Sequence, residues 1–168
     1  MTRIVAMHGC QRRALVARLV ARCGADALRA RLFLSPGRAL PANLVDLLAG
    51  PADGHAYLAL EDHRPVGLAN LAPDQHGALE LALLVADRWR RRGIGTALLH
   101  HAMAEPGTAG LPVRAAVQTH NNPVLGLLHS LPVPPRLTDS VPGEYYFELR
   151  PAIPVETAAP IGPVSAAG

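Results

Sequence analysis

From Leu83 to Thr96 the chain reads Leu-Leu-Val-Ala-Asp-Arg-Trp-Arg-Arg-Arg-Gly-Ile-Gly-Thr: an apolar run, then three arginines and two spaced glycines. Beyond it Leu98, Leu99, Ala102 and Met103 recur at helical spacing. A strand that feeds a helix through glycines leaves the first helical amides without acceptors and concentrates partial positive charge there. Such an end can hold a pyrophosphate. Gly93 and Gly95 let the backbone approach a ligand closely, and Arg90, Arg91 and Arg92 supply countercharge. The Gly-Lys-Ser/Thr ending of a Walker A loop is missing, and the dinucleotide fingerprint needs a third glycine and a later acid. The plainer reading of the arginines from Arg88 to Arg92 is a solvated basic corner or a nucleic-acid patch.

Glu80 is the one charge in the run Ala78–Ala86, which is apolar on both alternating faces and reads as a central strand, the most buried of the chain. A half-buried carboxylate there would be poised to take a proton; the alternative is a rim carboxylate paired with an arginine. His120 follows the strand-like Val113–Gln118. Asn121 and Asn122 precede Pro123, where asparagine, Asn122 in particular, caps a helix. His100 and His101, adjacent on a helix, cannot share one ligand and read as surface residues. Trp89 reads as packing against the sheet. Cys10 and Cys23 fit neither a redox pair nor a metal pattern, so no metal is expected.

The elements that must position these residues can be read on either side. A short strand at residues 3–7 precedes an amphipathic helix from Gln11 to Cys23, in which Leu15, Val16, Leu19, Val20 and Cys23 share a face. A helical piece follows at Ala25–Phe33, and another runs from Pro41 to Gly50-Pro51. His55–Leu60 and Val66–Leu71 read as antiparallel strands joined by Glu61–Pro65. The helix after Gly95 ends at Pro106-Gly107. Another opens at Asn122-Pro123, turns Leu125, Leu128 and Leu131 inward and stops at Pro132. Gly143–Leu149 is the last strand, and the Pro/Ala/Gly-rich residues 151–168 read as a disordered tail.

This loop, Arg90-Arg91-Arg92-Gly93-Ile94-Gly95, resembles the acetyl-CoA loop of the Gcn5-related N-acetyltransferase family, Gln/Arg-x-x-Gly-x-Gly/Ala. The order of helices, hairpin, central strand, loop, helix, strand, Asn and helix is also that family's, over residues 10–150. Ala-Leu-Arg-Ala-Arg-Leu-Phe-Leu-Ser-Pro at 27–36 and Glu-Leu-Ala-Leu-Leu-Val-Ala-Asp at 80–87 are similar to the acetyltransferase domains of bacterial protein-lysine acetyltransferases. The resemblance implies an α/β fold with a mixed, mainly antiparallel sheet flanked by helices, one domain over residues 1–150. It implies an N-acetyltransferase with acetyl-CoA as co-substrate.

By that resemblance, backbone groups of Leu83, Leu84 and Val85 pair with the pantetheine arm. The amides of Arg91, Arg92, Gly93, Ile94, Gly95 and Thr96, with Arg90 beside them, hold the pyrophosphate, and Asn121 contacts the cofactor. An alkyl ammonium has a pKa near ~10.4, so a base must free the amine. Glu80 is the candidate general base and His120 the reserve. The family's usual tyrosine, which protonates the leaving thiolate, is replaced by Leu128, and its Gly-Phe by Pro132-Val133. That proton then comes from water, Tyr145 or Tyr146, or the domain binds acyl-CoA with little turnover.

With 168 residues, 49% of them hydrophobic and 17% charged, the chain is expected to fold as one globular domain without a membrane span. All sixteen basic residues are arginine, yet the net charge is only +3. That favours an anionic ligand without arguing for nucleic acid. The arginine-rich start reads as helix rather than transit peptide, so a cytoplasmic location is the expectation. The expected partner is an amine, a small molecule or a protein lysine; a homodimer is left open.

Overall fold

The computed structural model describes residues 2–9, 11–104 and 110–150. The expected helix end at Pro106-Gly107, the tail at 151–168 and Cys10 lie outside them. Seven strands form one sheet: β1 (Thr2–Ala6), β2 (His55–Glu61), β3 (Arg64–Pro73), β4 (Leu79–Val85), β5 (Val113–Gln118), β6 (Arg136–Val141) and β7 (Glu144–Leu149). Their spatial order is β1-β2-β3-β4-β5-β7-β6, with every pairing antiparallel except β4 with β5. Helices α1 (Gln11–Val20), α2 (Ala25–Arg31) and α3 (Leu44–Ala49) cover one face, and α4 (Ile94–Met103) and α5 (Asn122–Leu128) the other.

Two hydrophobic layers follow from the alternation of side chains along the strands. Val16, Leu19, Leu28 and Leu48 pack with Leu58, Leu68 and Leu84 on the first face. On the second, Leu98, Leu99, Met103 and Leu128 pack with Leu71, Leu81, Val113 and Phe147. Trp89 touches both layers, and its indole N–H donates to Glu61.

Several sequence expectations shift. The β2–β3 connection is a two-residue turn rather than a five-residue loop: Glu61 pairs with Arg64, and Asp62 and His63 both take positive φ, as a type I′ turn requires. α3 starts at Leu44 rather than Pro41, and α1 ends at Val20, its last turn tightened by bonds from Arg22 to Leu19 and Cys23 to Val20. Arg12 of α1 is buried and donates to the carbonyl of Pro51. The most buried strand is β3 and not β4, because β4 is open along part of one edge. β6, exposed at every residue, was absent from the sequence reading.

Gly67 in β3 lets α4 lie flush on the sheet. A Cβ at this position would sit 2.9 Å from Leu98 Cδ1 and 3.1 Å from Ile94 Cγ2. A Gly67→Val variant would collide with the buried side chains of Leu98 and Ile94, so unfolding in urea should show a loss of about 2–3 kcal/mol. An unchanged midpoint would contradict this role.

Candidate active site

The site is built on a split in the sheet. β4 and β5 pair only at Leu79↔Val113 and Glu80↔Arg114, although β4 runs on to Val85 and β5 to Gln118. On its other edge β4 stays paired with β3 up to Val85↔Gly67. The ladder's phase is fixed by the bonds from Ala86 N–H to Val66 O and from Leu79 N–H to Pro112 O. Alternation along an antiparallel strand then turns the peptide groups of Leu84 toward β3 and those of Leu83 and Val85 into the split. Leu83 and Val85 therefore offer a free edge to an extended ligand, whereas Leu84 contributes its side chain to the first layer. Arg90 Nε already donates to the Val85 carbonyl at 3.3 Å.

The split leads to the start of α4. Its N-cap, Gly93, has φ 76°, and no side chain caps the helix. The bond from Ala97 N–H to Gly93 O is the first of the helix, and none of the bonds made by the described residues uses the amides of Ile94, Gly95 or Thr96. Arg91 also stands at positive φ, 62°, which an arginine rarely adopts. Two left-handed residues, Arg91 and Gly93, thus stand just before the open amides of the helix start. A Cβ on Gly93 would meet nothing within 4 Å, so its α-carbon faces open space. Gly95 serves differently: a Cβ there would lie 3.1 Å from Leu127 Cδ1, so this glycine brings α5 against the start of α4.

The arginines divide. Arg90 pairs with Asp87 at 3.2 Å and Arg92 approaches Glu61 at 3.9 Å, whereas Arg91 is exposed and has no ion pair among those of the described residues. Asp87 also accepts the Gly24 amide at 2.6 Å and so ties the start of α2 to the loop. Behind it, burial pushes the Cys23 thiol up to about 11, with Asp87 adding to the effect and Arg90 opposing it. With the ordinary value at 9.0, the thiolate population at pH 8 falls by about 100-fold, so iodoacetamide should label native Cys23 about 100-fold more slowly than the unfolded chain. Comparable rates would show an exposed thiol.

Glu80 is exposed, which corrects the expected half-burial; it stands where β4 and β5 begin to part. It lines a cavity of about 180 Å³ with Asp74, Arg114, Thr138, Tyr146 and Phe147. Arg114 is held by Asp74 at 3.0 Å. The amide of Ala78, with that of His76 and the Arg114 guanidinium, keeps the Asp74 carboxyl below the usual range. Glu80 itself has no ion pair among those of the described residues. The Tyr146 hydroxyl donates to Glu144 at 2.6 Å, which pushes this phenol up. Tyr145 lies on the other face against Phe147, and Leu128 is fully buried there.

His120 is exposed in the turn after β5. Asn121, rather than Asn122, is the N-cap of α5, and its side chain makes no capping bond. Sequence reasoning missed Gly67, Asp87 and the cavity residues Asp74, Arg114 and Thr138. The Asp74 turn was marked by Pro73-Asp74 and Gly77, but the partners across the cavity come from β5 and β6, far along the chain.

The acetyltransferase (GNAT) family model matches residues 25–131, which include the split strand, the loop and α5. The chain belongs to this family. The GNAT domain of S. lividans PAT superposes with a TM-score of 0.72 at 19% identity, over 88% of this chain and 89% of that one. Campylobacter jejuni N-acetyltransferase PseH, in a crystal structure with acetyl coenzyme A, gives 0.55 at 15% identity, over 90% and 100%. These likenesses show the fold. A mycothiol acetyltransferase from Clavibacter michiganensis is 44% identical over 69 residues, 40% of this chain and 22% of that protein. This chain therefore matches only a minor part of that relative's length.

Proposed function

We propose that this GNAT chain transfers the acetyl group of acetyl-CoA to a primary amine by direct attack of the amine on the thioester. One observation carries the reading: the free edge of β4 at Leu83 and Val85 ends at the uncapped amides of Ile94, Gly95 and Thr96. An extended thioester with a pyrophosphate at its far end fits that sequence of groups. The pantetheine amides add to β4 like a strand, and the diphosphate meets the helix end.

On this reading an N–H of the β4 edge donates to the thioester oxygen, where negative charge develops as the amine nitrogen bonds to the carbonyl carbon. Glu80, at the near end of the split, takes the proton that the attacking nitrogen gives up, directly or through water. The C–S bond then breaks and the thiolate takes a proton. Leu128 cannot supply it, and the Tyr146 hydroxyl is engaged by Glu144, so water in the open split serves. Asn121, with its side chain free of a capping role, is assigned to the cofactor and His120 to the reserve base.

A protein lysine is the preferred acceptor, on the similarity of residues 27–36 and 80–87 to protein-lysine acetyltransferases; a small-molecule amine comes next. The cytoplasm is the proposed location. Among the described residues no helix is long and apolar enough to cross a membrane. Leu128 in place of the usual tyrosine favours a second reading, an acyl-CoA-binding domain with little turnover. Thiol release from acetyl-CoA, followed with a panel of primary amines, separates the two. Amine-dependent release is expected, whereas binding of the cofactor without release would support the second reading.

A further inference from the structure

Helices α1 to α3 cover only part of their face of the sheet: among the described residues, the first hydrophobic layer takes no side chain from β5, β6 or β7. Alternation decides what stands on the open part. Leu79 and Leu81 of β4, Val113 and Ala115 of β5, and Tyr145 and Phe147 of β7 pack on the side of α4 and α5. Glu80, Arg114 and Tyr146 therefore point to the other side. Register brings them together, since Glu80 stands opposite Arg114, and Tyr146 opposite Ala116, the next residue of β5 on this face. All four line the cavity of about 180 Å³.

Tyr146 is held at two points. Its hydroxyl donates to Glu144 at 2.6 Å, and its carbonyl accepts from the Thr138 hydroxyl at 3.1 Å. The residue is nevertheless 36% exposed, so an aromatic surface is fixed in place and left uncovered beside the proposed base. The charges of the cavity narrow what can cover it. The Arg114 guanidinium is already engaged by Asp74 at 3.0 Å, while Glu80 has no ion pair among those of the described residues. An amine can bring its proton to Glu80, whereas a second carboxylate would meet Glu80 and Asp74 with the Arg114 charge already matched. The volume lies below the ~300 Å³ at which pockets for drug-sized ligands begin, and suits a group the size of one side chain.

We propose that Tyr146 is a specificity-determining residue, its ring forming the wall along which the apolar stem of the acceptor lies while the amine reaches Glu80. This rests on the transfer reading above. The acceptor class it names is a primary amine on an unbranched apolar stem, a lysine side chain or a free alkylamine; a very short stem, or one that ends in a carboxylate, is disfavoured.

The test measures kcat/KM for ethylamine, n-butylamine and 5-aminopentanoate with the full chain and its Tyr146→Phe and Tyr146→Ala variants. The original protein should prefer butylamine to ethylamine about tenfold, for two more buried methylenes, and should use 5-aminopentanoate at least ~10-fold less well than butylamine. Tyr146→Phe keeps the ring and should keep the stem preference; Tyr146→Ala should cut it to about twofold, with the Kd for acetyl-CoA unmoved. Ala116→Leu fills the cavity without removing the ring, so it reads the site even if Tyr146→Ala fails to fold. It should lower kcat/KM for butylamine at least ~5-fold more than for ethylamine. A stem preference that survives in Tyr146→Ala, that is lost in Tyr146→Phe or that ignores Ala116→Leu would overturn the wall and leave the transfer reading in place. So would 5-aminopentanoate used as well as butylamine. Acetylation of none of the amines by a protein that still binds acetyl-CoA would overturn the transfer reading and the wall with it. A lysine blocked at its α-amine and carboxyl, acetylated with the same loss in Tyr146→Ala, assigns the stem to a protein side chain; butylamine acetylated while the blocked lysine stays inert assigns it to a free amine.

Discussion

Gly93→Asp should leave the chain folded and raise the Kd for acetyl-CoA by at least ~100-fold. The residue stands at φ 76°, a region that aspartate tolerates better than most side chains, and its Cβ would meet nothing within 4 Å. Unfolding in urea should therefore show a loss of no more than ~1–2 kcal/mol, the cost of one left-handed residue. The new carboxylate would lie beside the open amides of Ile94, Gly95 and Thr96 and add a negative charge where the diphosphate must dock. Hydrogen bonds to a charged group contribute about 1.5–3 kcal/mol each, so losing two of them accounts for the expected weakening before repulsion is counted. Calorimetric titration measures it. A Kd unchanged in a folded variant would show that the anion does not bind at the start of α4.

Glu80→Gln should lower kcat about 100-fold at neutral pH without changing the Kd for acetyl-CoA. The side chain is exposed and has no ion pair among those of the described residues, so the isosteric amide should alter stability by less than ~0.5 kcal/mol. The loss would then report proton removal rather than folding. Full turnover in Glu80→Gln would move the base elsewhere, with His120 or water as the remaining choices.

What the sequence made legible was the part built from local pattern. The run from Leu83 to Thr96 carries its own strand period, its arginines and its glycines, so strand, loop and helix could be placed to within a residue or two. Side-chain spacing likewise brought Leu98, Leu99, Leu128 and Leu131 inside, and all four are buried. Long-range geometry was not legible. Nothing in the β4 sequence says that its pairing with β5 stops after Glu80, because the parting depends on β5 being held by β7 along its whole length. The burial expected for Glu80 failed for the same reason: Glu80 makes the last β4–β5 pair, at the mouth of the split, and is exposed.

β6 was hidden because an edge strand exposed on both faces has no apolar alternation, and its turn signal, Pro142-Gly143, stood without a run before it. The burial of Arg12 was not legible either, because it depends on loop carbonyls at Pro51 and Gly54, some forty residues along the chain, that receive its guanidinium. The role of Gly67 needed the helix that crosses it. A glycine in a strand signals a close approach without naming what approaches.

The account rests on a diphosphate-bearing thioester lying from the free edge of β4 to the start of α4, and backbone amide NMR during titration with acetyl-CoA observes that contact directly. The account predicts that the amides of Leu83, Val85, Ile94, Gly95 and Thr96 shift most and gain protection from hydrogen exchange. Acetyl-CoA that left these five amides unmoved, or shifted a set elsewhere on the molecule, would contradict it.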